Sequence, residues 1–232
     1  MKFIKIFLIL FLIIGCSNQK KKAEFENILG YEESNTLMYL VEDFENNFLK
    51  KTYPNKNINE AYYSFLTDLK KTGDFPSLDD ISIESYKKFD DSNLKLQIYG
   101  KPDSIWIEKG KIPSLMIKWK FLTQNEKFEY QLSESSPVSY YSGTRRIHLN
   151  NNNSDSIIEF YKNRTKVNPD GSYIKAMKSI SEENIFIKEY INHRDSFGDT
   201  NPLIFVNRLL DMKPDFKDYF IKRTIIIELV YY

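Results

Sequence analysis

The sequence predicts an α+β protein built on a central antiparallel β-sheet, and three observations carry that prediction. Apolar residues recur at three- and four-residue spacing before about residue 72 and again after residue 154, which is the helical period. From about 94 to 149 the pattern alternates, with Leu115, Ile117, Trp119 and Phe121 set against Met116, Lys118 and Lys120. A β-branched run, Thr224 to Tyr231, closes the chain and reads as one more buried strand of the sheet. Composition sets the outer limits. The 232 residues are 41% hydrophobic and 15% aromatic, too apolar for a disordered chain. With 33 basic against 32 acidic residues, charge gives no footing for a nucleic-acid partner. Abundant Lys, Asn, Ile, Phe and Tyr against three alanines is the bias of AT-rich codon usage and carries no function.

The N-terminus is the most informative stretch. Lys2 and Lys5 precede nine uninterrupted apolar residues, Ile6 to Ile14, and Gly15 and Cys16 come directly after. Nine helical residues reach about 13 Å, against a hydrocarbon core of about 30 Å, so the segment is a signal-peptide hydrophobic region. Ile13-Ile14-Gly15-Cys16 resembles the lipobox of bacterial lipoproteins, and the chain's single cysteine stands at its required position. That resemblance implies cleavage after Gly15, a diacylglycerol on the Cys16 sulfur and an acylated amine, a set of chains that anchors stably. It divides the chain into a signal peptide (1–15), a lipidated tether (16–24) and one α+β domain (25–232). Ser17 to Ala23 reads as a solvated, lysine-bearing spacer, with Lys20, Lys21 and Lys22 within reach of anionic head groups. Ser17 after the cysteine resembles lipoproteins sorted to the outer membrane, and no acidic surface-export run comes after it, which implies a periplasm-facing position. Asp103-Ser104-Ile105 and Asp155-Ser156-Ile157 resemble the O-glycosylation acceptor of Bacteroidota exported proteins. With no second thiol the mature domain depends on packing rather than disulfides.

Along the chain, Ser34 is positioned to cap a helix carrying Leu37, Leu40, Val41, Phe44 and Phe48 on one face, ended by Pro54. A second helix runs from about Asn59 to Lys71, with Gly73 just past its end. Tyr99-Gly100-Lys101-Pro102 is a helix-stop signal. It is similar to the helix, Gly-x-Pro turn and strand meander of SmpA/OmlA-type outer-membrane lipoproteins, over about a quarter of the chain. Strands are expected near Ile105–Glu108, at 115–122 and near Ile147–Leu149. The middle one is predicted to turn at Thr123 to Glu126 and pair with 127–132, setting Phe121 opposite Phe128, Trp119 opposite Tyr130 and Lys120 opposite Glu129. Four asparagines, Asn150 to Asn153, lead to Ser154 as a helix cap. Further helices are expected near Asp155–Arg164, Ser172–Ser179, Glu182–His193 and Pro202–Asp211, separated by Pro169-Asp170-Gly171 and Phe197-Gly198-Asp199.

Chemistry-bearing residues are sparse. Cys16 is committed to lipid, His148 and His193 are the only histidines, and no HExxH, CxxC, phosphate loop or Gly-x-Ser-x-Gly elbow occurs. No metal or cofactor is expected. The best polar constellation is Arg146 and His148, which share a strand face and with Lys118 and Lys120 would form an anion-binding patch. His193-Arg194-Asp195 would pair an imidazole with a carboxylate. Asp79-Asp80, Asp90-Asp91 and Glu182-Glu183 read as turn or helix-start residues. Three functions stay open: an envelope lipoprotein that binds a protein partner or scaffolds a complex, a periplasmic carrier of a small or apolar ligand, and a hydrolase with an unrecognised site.

Overall fold

The computed structural model describes residues 18–76, 81–109, 114–123, 139–148, 154–162, 164–197 and 201–231. The chain forms an α+β structure in two compact units. One is helical and takes the chain up to Asp91 and again from Lys175; the other runs from Ser92 to Ile174 and holds the sheet.

The described part of the helical unit begins inside a helix, α1 (18–29 among the described residues), which buries Phe25 and Leu29 while 18–20 and 22–24 stay exposed. Of the stretch expected as a spacer, residues 18–23 are helical, and Ser17 lies outside the described residues. Gly30, at φ 105°, separates α1 from α2 (Tyr31–Asp43) and occupies the N-cap. Only glycine takes that backbone cheaply, so the helix starts there; Ser34, expected as the cap, lies inside it and is buried. The helix continues through a π-helical turn, Phe44–Leu49, and α3 (Lys50–Thr52). That turn stacks Phe44 on Phe48 at 5.0 Å and sets it edge-on to Phe65 at 5.2 Å. Next, α4 (Ile58–Thr72) matches the expected second helix within a residue at each end. Asn57 and Glu60 form a reciprocal capping box, and Gly73 closes the helix in the left-handed region at φ 74°. The helix α5 (Ile83–Asp90), capped by Ser82, is not anticipated by the sequence pattern.

In the second unit α6 (Asn93–Ile98) runs directly into β1 (Tyr99–Glu108). The helix therefore stops where expected, but Gly100 and Pro102 lie within the strand, just before a bulge. With β2 (Ser114–Thr123), β3 (Ser139–His148) and β4 (Lys166–Val167), β1 forms an antiparallel sheet in the order β3-β2-β1-β4. The expected meander is present, but the expected hairpin is not. Thr123 pairs with Ser139, Phe121 with Tyr141, Lys120 with Ser142 and Trp119 with Gly143. Since β1 holds the other edge of β2, no edge is left for 127–132, and those residues lie outside the described ones. The helix α7 (Ser154–Lys162) covers one sheet face, packing Ile157, Ile158 and Tyr161 on Leu115, Ile117, Trp119 and Phe121. Fully buried Asn168 pins the unit. Its side-chain amide donates to the carbonyls of Leu96 (3.0 Å) and Leu122 (2.6 Å), and its backbone N–H to that of Ile98 (2.8 Å). Gly171 is required nearby because a Cβ there would strike the Gln97 carbonyl.

The chain crosses back to the helical unit within α8 (Ser172–Ile180). A 3-10 turn, Ser181–Glu183, precedes α9 (Ile185–Phe197), so the helix expected from Glu182 begins three residues later. Pro202 begins α10 (Pro202–Met212) as expected. The C-terminal strand is contradicted: the run forms α11 (Tyr219–Ile225) and a second π-helical turn, Ile226–Val230. Asp218 decides this. Its carboxylate accepts from the N–H groups of Phe220 (2.8 Å) and Ile221 (3.0 Å), starting a helix before the β-branched run begins. An apolar run buried on all sides has no period to distinguish strand from helix, and 220, 221 and 223–231 are all buried.

Candidate functional site

The sequence-derived patch lies on the sheet face opposite α7. Strand register places Lys118 across from Ser104, Lys120 across from Lys101, and Trp106 across from Met116. Lys101, Lys118 and Lys120 therefore share one face, with Lys101 a cation that sequence reasoning missed because the bulge after Pro102 sets its register. Lys118 is already engaged, its Nζ 3.5 Å from Asp103. On β3, the backbone of Arg146 lies opposite Met116 and that of His148 opposite Ser114, while their side chains lie outside the described residues. The face can attract an anion, and Trp106, 42% exposed, gives it an apolar element.

In the helical unit the two π-helical turns carry a matching constellation. In the first, Glu45 accepts from the Tyr62 hydroxyl at 3.1 Å and pairs with Lys222 at 2.6 Å. In the second, Glu228 accepts from the Tyr190 hydroxyl at 2.7 Å and from Arg194, whose side chain is almost wholly buried like its own. In each turn the carboxylate meets a tyrosine and a cation from other helices. Burial, with Glu45 beside it, holds the Tyr62 hydroxyl well above the ordinary tyrosine range. Both acids therefore have a hydrogen-bond donor and a counter-cation, in a buried pair at Glu228 and a part-exposed one at Glu45.

The expected His193–Asp195 pair does not form. Asp195 instead binds Lys178 at 2.9 Å, and Arg194 turns inward to Glu228. His193 lies beside a small cavity lined by Glu189, Tyr190, Phe205 and Arg208. Burial first, then the Arg208 charge, lowers its pKa below the usual value, against an opposing pull from Glu228. Asp90 ends α5 and Asp91 caps it, Glu182 binds Lys188 at 2.8 Å, and Asp79 and Asp80 lie outside the described residues.

Beside α4, Lys56, Asn59, Tyr63, Ser64, Lys213 and Phe216 line an open groove of about 700 Å³. Lys213 takes the left-handed backbone, φ 47°, where α10 ends. Among the described residues no three metal-ligating side chains gather, and no helix is long and apolar enough to cross a membrane. Cys16 lies outside them. No family model, curated protein or solved structure matches the chain.

Proposed function

We propose that this chain is a cell-envelope lipoprotein, anchored through Cys16 on the periplasmic side of the outer membrane, whose folded part binds another envelope protein without catalysis. The observation that carries the reading is the leader: Lys2 and Lys5, nine apolar residues, then Ile13-Ile14-Gly15-Cys16 with the chain's one cysteine. Asp195, Arg194 and Lys118 are each engaged by a neighbouring charge, as structural ion pairs are. An aromatic side chain that reaches solvent on the face opposite α7, Trp106, is of the type that anchors protein interfaces. The carrier reading asks for a cavity inside the covered sheet, whereas the groove of about 700 Å³ lies among helices.

Replacing Cys16 with Ser should release the chain from membranes and abolish labelling by palmitate analogues. Membrane attachment that survives the change refutes the anchor. For the binding half, a stoichiometric partner should co-purify from detergent-solubilised envelopes and be lost with Trp106→Ser. Full function of that variant in a deletion strain would count against the surface.

A further inference from the structure

We propose that the groove beside α4 binds a small aromatic anion, an aryl carboxylate by chemical class, in addition to the protein partner and independently of the lipid anchor. Its volume of about 700 Å³ falls within the range of small-molecule sites, about 300–1,000 Å³. All the residues that line it come from two stretches of the helical unit, 56–64 and 213–216. The walls are fixed from behind. Asn59 on α4 donates to the Asp215 carboxylate at 3.0 Å, and that carboxylate also accepts from the Lys217 N–H at 3.0 Å. The first of these bonds ties α4 to the turn after α10, so the two walls are held together.

The lining suits a flat apolar body. Phe216 is 3% exposed and stacks on Tyr62 at 5.7 Å with 18° between the ring planes, which makes it a rigid floor. Tyr63, four residues beyond Asn59 on the same side of α4, is 45% exposed and offers a second ring at the wall. Aromatic rings attract one another in offset or edge-on contact, so a ligand ring has two partners here.

A second observation concerns Lys213. Among the described residues it is the one residue other than glycine in the left-handed region, at φ 47°. Gly73 ends α4 with the same bond, from the cap N–H to the carbonyl four residues back, 2.8 Å to Leu69 against 3.1 Å from Lys213 to Leu209. Glycine meets that backbone without strain, so the end of α10 does not need a lysine. Strain kept where a cheaper residue would fold as well marks a side chain with a use at the groove it lines. Charge then sets the sign of the ligand. Among the described residues neither Lys213 nor Lys56 is in an ion pair; the Lys56 ammonium donates to the neutral Ser64 hydroxyl and stands 5.5 Å from the centre of the Tyr53 ring. Glu60 is the acid of the lining, and its carboxylate accepts from the Asn57 N–H of the capping box at 3.1 Å. Two ammonium groups against one committed carboxylate favour an anion, and the rings favour one carried on an aromatic body.

The test titrates the chain with Cys16→Ser, purified without detergent so that no amphiphile competes, with naphthoate, with neutral naphthalenemethanol and with acetate. Calorimetry should show one saturable naphthoate site, with the neutral ring and the ringless anion each at least about tenfold weaker. Tyr63→Ala should weaken naphthoate about fivefold at an unchanged melting temperature, because the ring is half exposed. Lys213→Gly should weaken it about tenfold while the melting temperature holds or rises, since the strain is relieved as the ammonium is lost. Naphthoate that binds no tighter than naphthalenemethanol overturns the anion site. Affinity unchanged in the Tyr63→Ala and Lys213→Gly variants puts the binding elsewhere and overturns the groove. A lower melting temperature in Lys213→Gly would assign the lysine to the dipole at the end of α10 and overturn its role as a ligand residue.

Discussion

A buried arginine facing a buried glutamate is the residue-level feature with the largest consequence. Arg194 and Glu228 are almost fully removed from water, and Tyr190 completes the acid's hydrogen bonding. Desolvating two charges costs about what their attraction returns, but removing one partner leaves the other uncompensated. Arg194→Met should therefore lower unfolding stability by about 3–5 kcal/mol, and adding Glu228→Leu should restore most of it. Urea unfolding of the two variants checks this; a double variant no more stable than the single one would place the cost in packing rather than charge. His193 gives a pH signature of opposite origin. Its folded pKa is lowered by burial and by Arg208, so the unfolded chain takes up the proton first as pH falls through about 6.5. Stability should accordingly decline below that pH until the folded pKa is passed. His193→Gln should flatten that part of the stability curve, and an unchanged slope would assign it to other groups. Neither feature is legible in the sequence. Arg194 and Glu228 are 34 positions apart, and their meeting depends on a helix where β-branching suggests a strand.

At the level of elements, legibility tracks the presence of punctuation. Asn57, Glu60 and Gly73 mark both ends of α4, and the sequence pattern places that helix within a residue at each end. Pro202 does the same for the start of α10. Gly30 and Asp218 are equally strong signals, but each lies outside the apolar stretch it controls, so the pattern misplaces the start of α2 and mistakes the nature of the C-terminus. For β2 the pattern identifies the buried face correctly, since Leu115, Ile117, Trp119 and Phe121 form the core under α7. It does not identify the partner. Alternation fixes which side chains point inward but not which of two alternating segments pairs with them. Trp119 is 3% exposed, so Trp119→Ala should cost about 3–5 kcal/mol. Amide exchange should be slow across 117–121 and across its partner 141–145. Protection at 127–132 in place of 141–145 would restore the short hairpin and refute the observed register.

For the whole molecule, a single cysteine makes the redox state a direct report on the anchor. A chain with one thiol can form no internal disulfide, so neither unit draws stability from one. The two cores are instead apolar: Leu115, Ile117, Trp119 and Phe121 in the sheet unit, and residues such as Leu37, Leu40, Phe65 and Leu66 in the helical one. Melting of the purified protein should therefore be the same with and without reductant. The same residue distinguishes lipidation from plain secretion. In an oxidising compartment an exposed Cys16 thiol would couple two chains, whereas a thioether to diacylglycerol cannot exchange. Non-reducing electrophoresis of the envelope-derived protein should show only the monomer, with Cys16→Ser equally monomeric but no longer membrane-bound. A dimer that collapses on reduction would mean that the sulfur at Cys16 is free. The leader would then be an ordinary secretory one, and the proposed anchor would be lost.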